Sequence, residues 1–178
     1  MGFFSRFFHL RKEGKPLPED WTSLPADSQA SELLLLDDDA QRAMAEFDID
    51  AAISSHEIWL HWLSQALRGV REDNLRPEVI RDDTCSELGQ WLHGPGRSVL
   101  GEFAAFEMLL QRHRYFHQQA ALMVLHLDGG DASAALQAFK SCQHASRQVV
   151  LLLRELQRSL NRQRARRQAQ HTSQPPSI

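Results

Sequence analysis

The sequence predicts an all-α protein, an antiparallel four-helix bundle with an irregular N-terminal segment and a basic C-terminal tail. Apolar residues recur at three- and four-residue steps through four stretches, which is the period of an amphipathic helix. Turn-forming residues separate these stretches, around Pro77, at Gly94 to Gly96 and at Gly129 to Asp131. No strand pattern competes, and helices joined by short breaks favour a bundle.

Length and composition exclude several classes of protein. The 178 residues suffice for one domain with its own core, and the net charge of −3 gives no general reason to expect nucleic acid as a partner. The two cysteines are far apart, so they indicate a reducing compartment rather than a disulfide framework. No apolar run approaches the roughly 20 residues of a transmembrane segment. We therefore expect a cytoplasmic protein.

Three regions follow from the pattern along the chain. Residues 1–43 form an irregular or partly helical extension with a Phe-rich start and the acidic run Asp37 to Asp39. Residues 44–160 carry the helical bundle. Residues 161–178 form a basic tail that we expect to be disordered.

Turn and capping residues set the expected helix bounds. The first helix should begin near Asp48 or Asp50, whose side chains can cap it, and end near Val70 or Glu72. The later helices are expected at about Asp82–His93, at Ser98–Leu127 and from Asp131 through Leu160. Residues 73–84 should be largely extended because Pro77 disfavours helix before it, and residues 94–97 should form an irregular crossing.

Three of these helices carry possible metal ligands on their apolar faces. His113 and His117 stand four residues apart and so share one helix face. His56 interrupts the apolar stripe of the first helix, and Cys85 lies beside the apolar residues of the second. A pair of hydrogen-bonded core histidines would explain His113 and His117 alone. One cysteine with three histidines is, however, a ligand set that suits zinc.

Three segments resemble a known family. They are His56-Glu57-Ile58-Trp59, the segment from Cys85 to Gly94, which we interpret as a CxLGxWL signature, and Phe106 to His117, and we take their order and spacing to agree with the family. Together they resemble the chemoreceptor zinc-binding (CZB) domains of bacteria over about residues 44–160. The resemblance implies that His56, Cys85, His113 and His117 bind one Zn²⁺. It also implies a cytoplasmic, usually dimeric helical bundle, whose ligating cysteine is linked to sensing hypochlorous acid.

From this resemblance we expect a zinc-binding sensory or regulatory protein that reports zinc or oxidant status to a partner. No signalling module follows the bundle, so a chemoreceptor or a diguanylate cyclase is a possible partner. A closed site of four protein ligands leaves no position for a substrate, so we do not expect an enzyme. The alternatives are a haemerythrin-like di-iron bundle that binds oxygen and a metal-free helical interaction module.

Some further residues carry subsidiary hypotheses. Asp82 and Asp83 could orient a metal-bound histidine, and Cys142 is expected to be a packing residue. Arg154, Arg158 and Arg162 recur every fourth residue of the last helix. A row of arginines facing the acidic run of a second copy would favour a homodimer.

Overall fold

The computed structural model describes residues 47–70, 75–101 and 104–172, and the regular structure in these ranges is helical. The elements are α1 (Ile49–Leu67), α2 (Pro77–Ile80), a 3₁₀ turn (Asp83–Cys85), α3 (Glu87–His93), α4 (Pro95–Leu100), α5 (Ala104–Asp128) and α6 (Ala132–Thr172). The all-α prediction is confirmed. The antiparallel four-helix arrangement stays a prediction, because three of the described helices are long and the others are short. The acidic run and the Phe-rich start lie outside the described residues.

Predicted capping residues begin and end the long helices. The Asp48 carboxylate accepts a hydrogen bond of 2.9 Å from the Ala51 amide at the start of α1. Asp131 caps α6 in the same way, through a 2.9 Å bond from the Ala134 amide. Between α5 and α6 the chain reverses at Gly130, whose φ of +76° is strained for other residues. The two helices therefore form a hairpin, and α1 packs mainly against α6.

Two apolar cores lie along these three long helices. The first core joins the start of α1 to α3, the start of α5 and the second half of α6, with Ile53, Leu92, Leu110 and Leu153 among its members. The second core joins the end of α1 to α2, the end of α5 and the first half of α6, with Leu63, Ile80, Phe116 and Val124 among its members. The site residues lie where the two cores meet.

Buried polar side chains occupy that junction. On α1, His56 lies between Ile53 of the first core and Leu63 of the second core. On α5, His113 follows Leu110, which belongs to the first core. We call His56, His113 and His117 the polar layer, and each of these side chains is at most 3% exposed. Groups so deeply buried need polar partners, because burying an unpaired polar group costs free energy.

The connection between α1 and α3 differs from the predicted extended chain. Pro77 is the first residue of α2 rather than a barrier to helix, because a proline at this position needs no amide hydrogen and its fixed φ suits a helix. Pro95 begins α4 in the same manner, so the predicted irregular crossing at residues 94–97 is wrong. A turn at Gly101 follows, which divides the predicted third helix into α4 and α5.

The last helix also differs from the prediction. We expected a disordered tail from residue 161, whereas α6 continues to Thr172. Residues 161–172 are rich in arginine, glutamine and alanine, which have high helix propensity. They extend a helix whose nucleus has already formed, so each added residue meets no further nucleation cost. None of the helices in the described ranges has an apolar stretch of membrane-spanning length.

An aromatic stack fixes the start of the described chain to α3. The rings of Phe47 and Trp91 lie 4.2 Å apart between centroids and are inclined by 11°. On another side, Trp91 packs so closely on Gly96 that a Cβ atom there would lie 2.8 Å from the indole. The indole thus connects the residue that precedes α1 with both α3 and α4.

Candidate metal centre

Three histidines from α1 and α5 meet in the polar layer. The ring centroids of His113 and His117 are 4.6 Å apart, and those of His56 and His113 are 5.5 Å apart. The four-residue spacing on α5 places two rings on one face, and the packing of the bundle adds the third. This confirms that His56, His113 and His117 lie together on buried helix faces.

Hydrogen bonds define which nitrogen of His117 can accept a metal. Its Nδ1 lies 2.8 Å from the carbonyl oxygen of Ile80 at the end of α2. A carbonyl oxygen only accepts, so Nδ1 donates its hydrogen and Nε2 keeps a lone pair. Metal-bound histidines in proteins are held in this way by a partner of the other ring nitrogen.

The ring of His113 lies between a hydroxyl and a carboxylate. Its Nε2 is 3.1 Å from Ser86 Oγ, and its Nδ1 is 3.8 Å from Asp83 Oδ2. The Nδ1 atoms of His56 and His113 are buried, and neither makes a hydrogen bond within the described part of the chain. Because Asp83 Oδ2 faces Nδ1 of His113, His56 Nδ1 is the nitrogen whose lack of a partner calls for an explanation, and a bound ion would supply one.

Asp83 is the buried carboxylate of this region. Its Oδ2 accepts a 2.9 Å hydrogen bond from His93 Nε2 and lies 3.8 Å from Arg114 Nε. Burial acts to raise the pKa of this carboxyl, but the neighbouring His113 and His93 outweigh that effect and hold it well below its usual range. Asp83 therefore supplies a negative charge beside His113, as proposed for an orienting residue.

The histidines are neutral in this setting. Burial lowers the pKa of His117 to about 4, with a smaller contribution from the charge of His113. Burial also lowers the pKa of His56, to which His113 and His117 add their repulsion, and it lowers that of His113 against the opposing effect of Asp83. A neutral imidazole is the form that binds a metal.

Cys85 lies at the edge of the polar layer rather than in it. The residue is exposed and belongs to the 3₁₀ turn, so its predicted place on the buried face of a helix is wrong. Its Sγ is 3.8 Å from His117 Nδ1, the nitrogen that already donates to Ile80. Partial burial and the carboxylates of Asp82 and Asp83 raise the pKa of the thiol.

Ser86 is the polar neighbour that the sequence analysis missed. It is the N-cap residue of α3, where its hydroxyl accepts a 3.1 Å hydrogen bond from the Gly89 amide. The same oxygen lies beside His113 Nε2. A serine three residues before a helical amide is a common capping signal, and it could have been used to place this side chain.

Gly89 allows this close arrangement. A Cβ atom at position 89 would overlap the carbonyl oxygen of Asp83 and lie 3.1 Å from Cε1 of His113. Glycine is therefore the residue that lets α3 approach both the 3₁₀ turn and the imidazole.

No three His, Cys, Asp or Glu side chains in the described ranges are already arranged around one point as a metal cage. The site nevertheless fits zinc by the chemistry of its donors, since it holds three neutral imidazoles, two with unsatisfied buried nitrogens. The full ligand set of His56, Cys85, His113 and His117 stays a prediction.

Residues 56–124 match the family model of the chemoreceptor zinc-binding domain. This segment is therefore similar to the chemoreceptor zinc-binding domain. The suspected resemblance is thus confirmed over this segment, which begins at His56 and includes Cys85, His113 and His117. The chemoreceptor zinc-binding domain binds Zn²⁺ and has a sensory or regulatory role. No curated protein and no solved structure shows a significant match to the chain.

The spacing within the matched segment departs from the signature used for the resemblance. CxLGxWL has one residue between cysteine and leucine, whereas two residues, Ser86 and Glu87, separate Cys85 from Leu88. Counting back from Leu88, the signature's cysteine position falls on Ser86. The resemblance in this segment therefore does not select Cys85 over its neighbour.

The lowered histidine pKa values predict acid sensitivity of the metal-free protein. Because the folded pKa of His117 is about 4 and its ordinary value is 6.5, the unfolded chain binds more protons between these pH values. Stability should be complete above pH 6.5 and fall as the pH drops towards 4. Thermal unfolding in chelator at several pH values measures this. His117→Gln should make the melting temperature depend less steeply on pH. His61→Gln, which changes an exposed residue of α1, should leave that dependence unchanged. A melting temperature independent of pH would contradict the burial of neutral imidazoles.

Substitution of Gly89 tests the close packing at the site. Gly89→Ala should lower the free energy of unfolding by about 1–3 kcal/mol, because the new methyl group displaces the Asp83 backbone or the His113 ring. Gly129→Ala is the matched control, since a Cβ atom there meets nothing closer than 3.5 Å and the residue is not in the left-handed region. Urea unfolding of both variants measures the difference, and equal stabilities would show that α3 can move away without cost.

Proposed function

We propose that this chain is a regulatory protein that binds one Zn²⁺ through His56, His113, His117 and a fourth side chain near the start of α3. The sequence-based ligand set names Cys85 as the fourth. The observation that supports the proposal most directly is the meeting of three buried, neutral imidazoles inside a segment similar to the chemoreceptor zinc-binding domain.

The chain's own residues prepare such a site before the ion arrives. The Ile80 carbonyl holds the hydrogen of His117 on Nδ1, and Asp83 faces Nδ1 of His113. Zinc would supply a localised positive charge that the nearby carboxylate partly compensates. Its binding would join α1, α5 and the segment between α2 and α3 at one point, so the relative position of these elements would depend on metal occupancy.

We propose zinc level or oxidant as the signal. The exposed position of Cys85 lets hypochlorous acid reach the thiol. In that reaction the sulfur is oxidised to a sulfenic acid and hypochlorous acid is reduced to chloride. Cys142 does not compete, because it is fully buried and burial raises its pKa to about 12. A change in Cys85 at the edge of the polar layer would alter the surroundings of His117.

The output would pass through another protein, and we propose a chemoreceptor or a diguanylate cyclase in the cytoplasm as its class. We do not propose catalysis, since the histidines are enclosed between two apolar cores and the proposed ligands come from the protein.

Nucleic acid is not proposed as a partner. A di-iron centre is disfavoured because it needs several inward carboxylates, whereas Asp83 is the one buried carboxylate of the described residues that contacts the histidine cluster.

A homodimer is part of the proposal. Helix α6 is 41 residues long against 25 for α5, so the hairpin partner covers only part of its length. Arg158 and Arg162 lie 3.4 and 3.5 Å from the buried carboxylate of Glu155 on the same helix, while Arg154 is exposed. The two arginines paired within the chain have less charge to offer a second copy, so a dimer interface would depend less on the arginine row than its spacing predicts.

Metal analysis of the purified protein tests the zinc proposal. About one zinc per chain is expected, and His56→Ala and His113→Ala should each release most of it, because each removes a ligand. His61→Ala is the matched control on α1, where the side chain is exposed. Retention of zinc in both site variants would show that the metal binds at another place in the protein. Unchanged helicity and melting after exhaustive chelation would favour a metal-free interaction module.

Light scattering at physiological salt tests the assembly. The mass should be twice that of one chain at micromolar concentration. The Arg154→Glu and Arg158→Glu double variant should remain dimeric and insensitive to salt if apolar contacts dominate. Dissociation of the double variant would instead support the charged interface, and a monomeric wild type would reject the homodimer.

A further inference from the structure

We propose that Ser86 rather than Cys85 is the fourth side chain of the metal centre, so that the ion is held by three imidazoles and a neutral hydroxyl. This inference rests on the proposed zinc function and changes the identity of one ligand. It makes the centre one without a thiolate.

The position of the Ser86 hydroxyl supports the assignment. Its Oγ lies 3.1 Å from His113 Nε2, whereas the Asp83 carboxylate faces the other ring nitrogen, Nδ1. The oxygen is held there by the Gly89 amide, which donates to it over 3.1 Å, and it is 3.3 Å from the Asp83 carbonyl, to which it can donate. The hydroxyl hydrogen thus has an alternative acceptor when an ion takes the lone pair of His113, and the oxygen needs no large movement.

The thiol of Cys85 approaches the other histidine from the wrong side. Its Sγ lies 3.8 Å from Nδ1 of His117, and this nitrogen donates to the Ile80 carbonyl. An ion shared by Cys85 and His117 through this nitrogen would have to displace that buried 2.8 Å hydrogen bond. Ser86, in contrast, faces a nitrogen that no backbone group holds.

The backbone keeps the two side chains apart. Ser86 has extended torsion angles, with φ of −107° and ψ of 153°, and ends the 3₁₀ turn that contains Cys85. The chain therefore changes conformation between the two residues, and their side chains meet different histidines, His117 for Cys85 and His113 for Ser86. A backbone rotation that took Ser86 away from His113 would also remove the N-cap hydrogen bond from the Gly89 amide.

The hydroxyl has chemical consequences for the ion. Unlike a thiolate, it carries no charge and is a weak ligand, so water can replace it readily. An oxidant also has no electron-rich sulfur to attack at the ion itself. Oxidant sensitivity would then depend on Cys85 as a neighbour of the site, whereas zinc release would follow from the weak fourth ligand.

Cobalt(II) binding to the full chain tests the inference, because a cobalt–thiolate bond gives an intense near-ultraviolet charge-transfer band and a hydroxyl does not. We expect the wild type and Cys85→Ser to bind Co²⁺ without that band. Ser86→Cys should acquire the band and bind Zn²⁺ at least about tenfold more tightly in a competition with a chromophoric chelator, since thiolates favour zinc. Ser86→Ala should keep the three-histidine site and show weaker zinc retention.

A thiolate band in the wild type that disappears in Cys85→Ser would overturn the inference and leave the zinc function intact. So would a zinc affinity that falls in Cys85→Ser and is unchanged in Ser86→Ala. Absence of cobalt and zinc binding in the wild type would reject the proposed function itself. Helicity measured by circular dichroism identifies any variant that fails to fold, and the wild-type spectrum decides between the two residues without a variant.

Discussion

The rest of the site depends on the burial of three imidazoles between two apolar cores. Each ring is buried, and the aromatic rings of Phe116 and Trp59 lie against them together with the apolar residues of the two cores. The polar partners come from one stretch, in which the Ile80 carbonyl, the Asp83 carboxylate and the Ser86 hydroxyl follow each other within seven residues. The segment between α2 and α3 is therefore as much a part of the site as the histidines.

This dependence explains why the short elements have the form they do. A single long helix in place of α2, the 3₁₀ turn and α3 would present one side chain in three or four to the polar layer. Breaks at Arg81 and Ser86 allow a backbone carbonyl, a carboxylate and a hydroxyl to face the same cluster. Gly89 then brings α3 near enough for these groups to reach His113.

The periodic part of the structure could be predicted from sequence, and the irregular part could not. The caps Asp48 and Asp131 and the burial of His56, His113 and His117 follow from helical spacing, which constrains every residue of a long helix. Between α1 and α3, proline can begin a helix or break one, and the outcome is set by tertiary contacts such as those of Ile80. The face of Cys85 was mispredicted for the same reason: the predicted helix began near Asp82, whereas α3 begins after its N-cap Ser86, so Cys85 lies in the 3₁₀ turn and outside the helical period.

The stack of Phe47 on Trp91 gives the fold a mechanical property. The residue that leads into α1 is clamped to α3, whose N-terminal end carries the Ser86 hydroxyl, and the indole also bears on α4 through Gly96. A change in the direction of the chain ahead of Phe47 would therefore act through the Trp91 ring on α3, the helix whose N-cap hydroxyl lies beside His113. Conversely, a fixed position of α3 would restrict the direction in which the chain ahead of Phe47 leaves the bundle. The Phe47–Trp91 pair thus links the chain that precedes α1 to the helix that borders the proposed metal site.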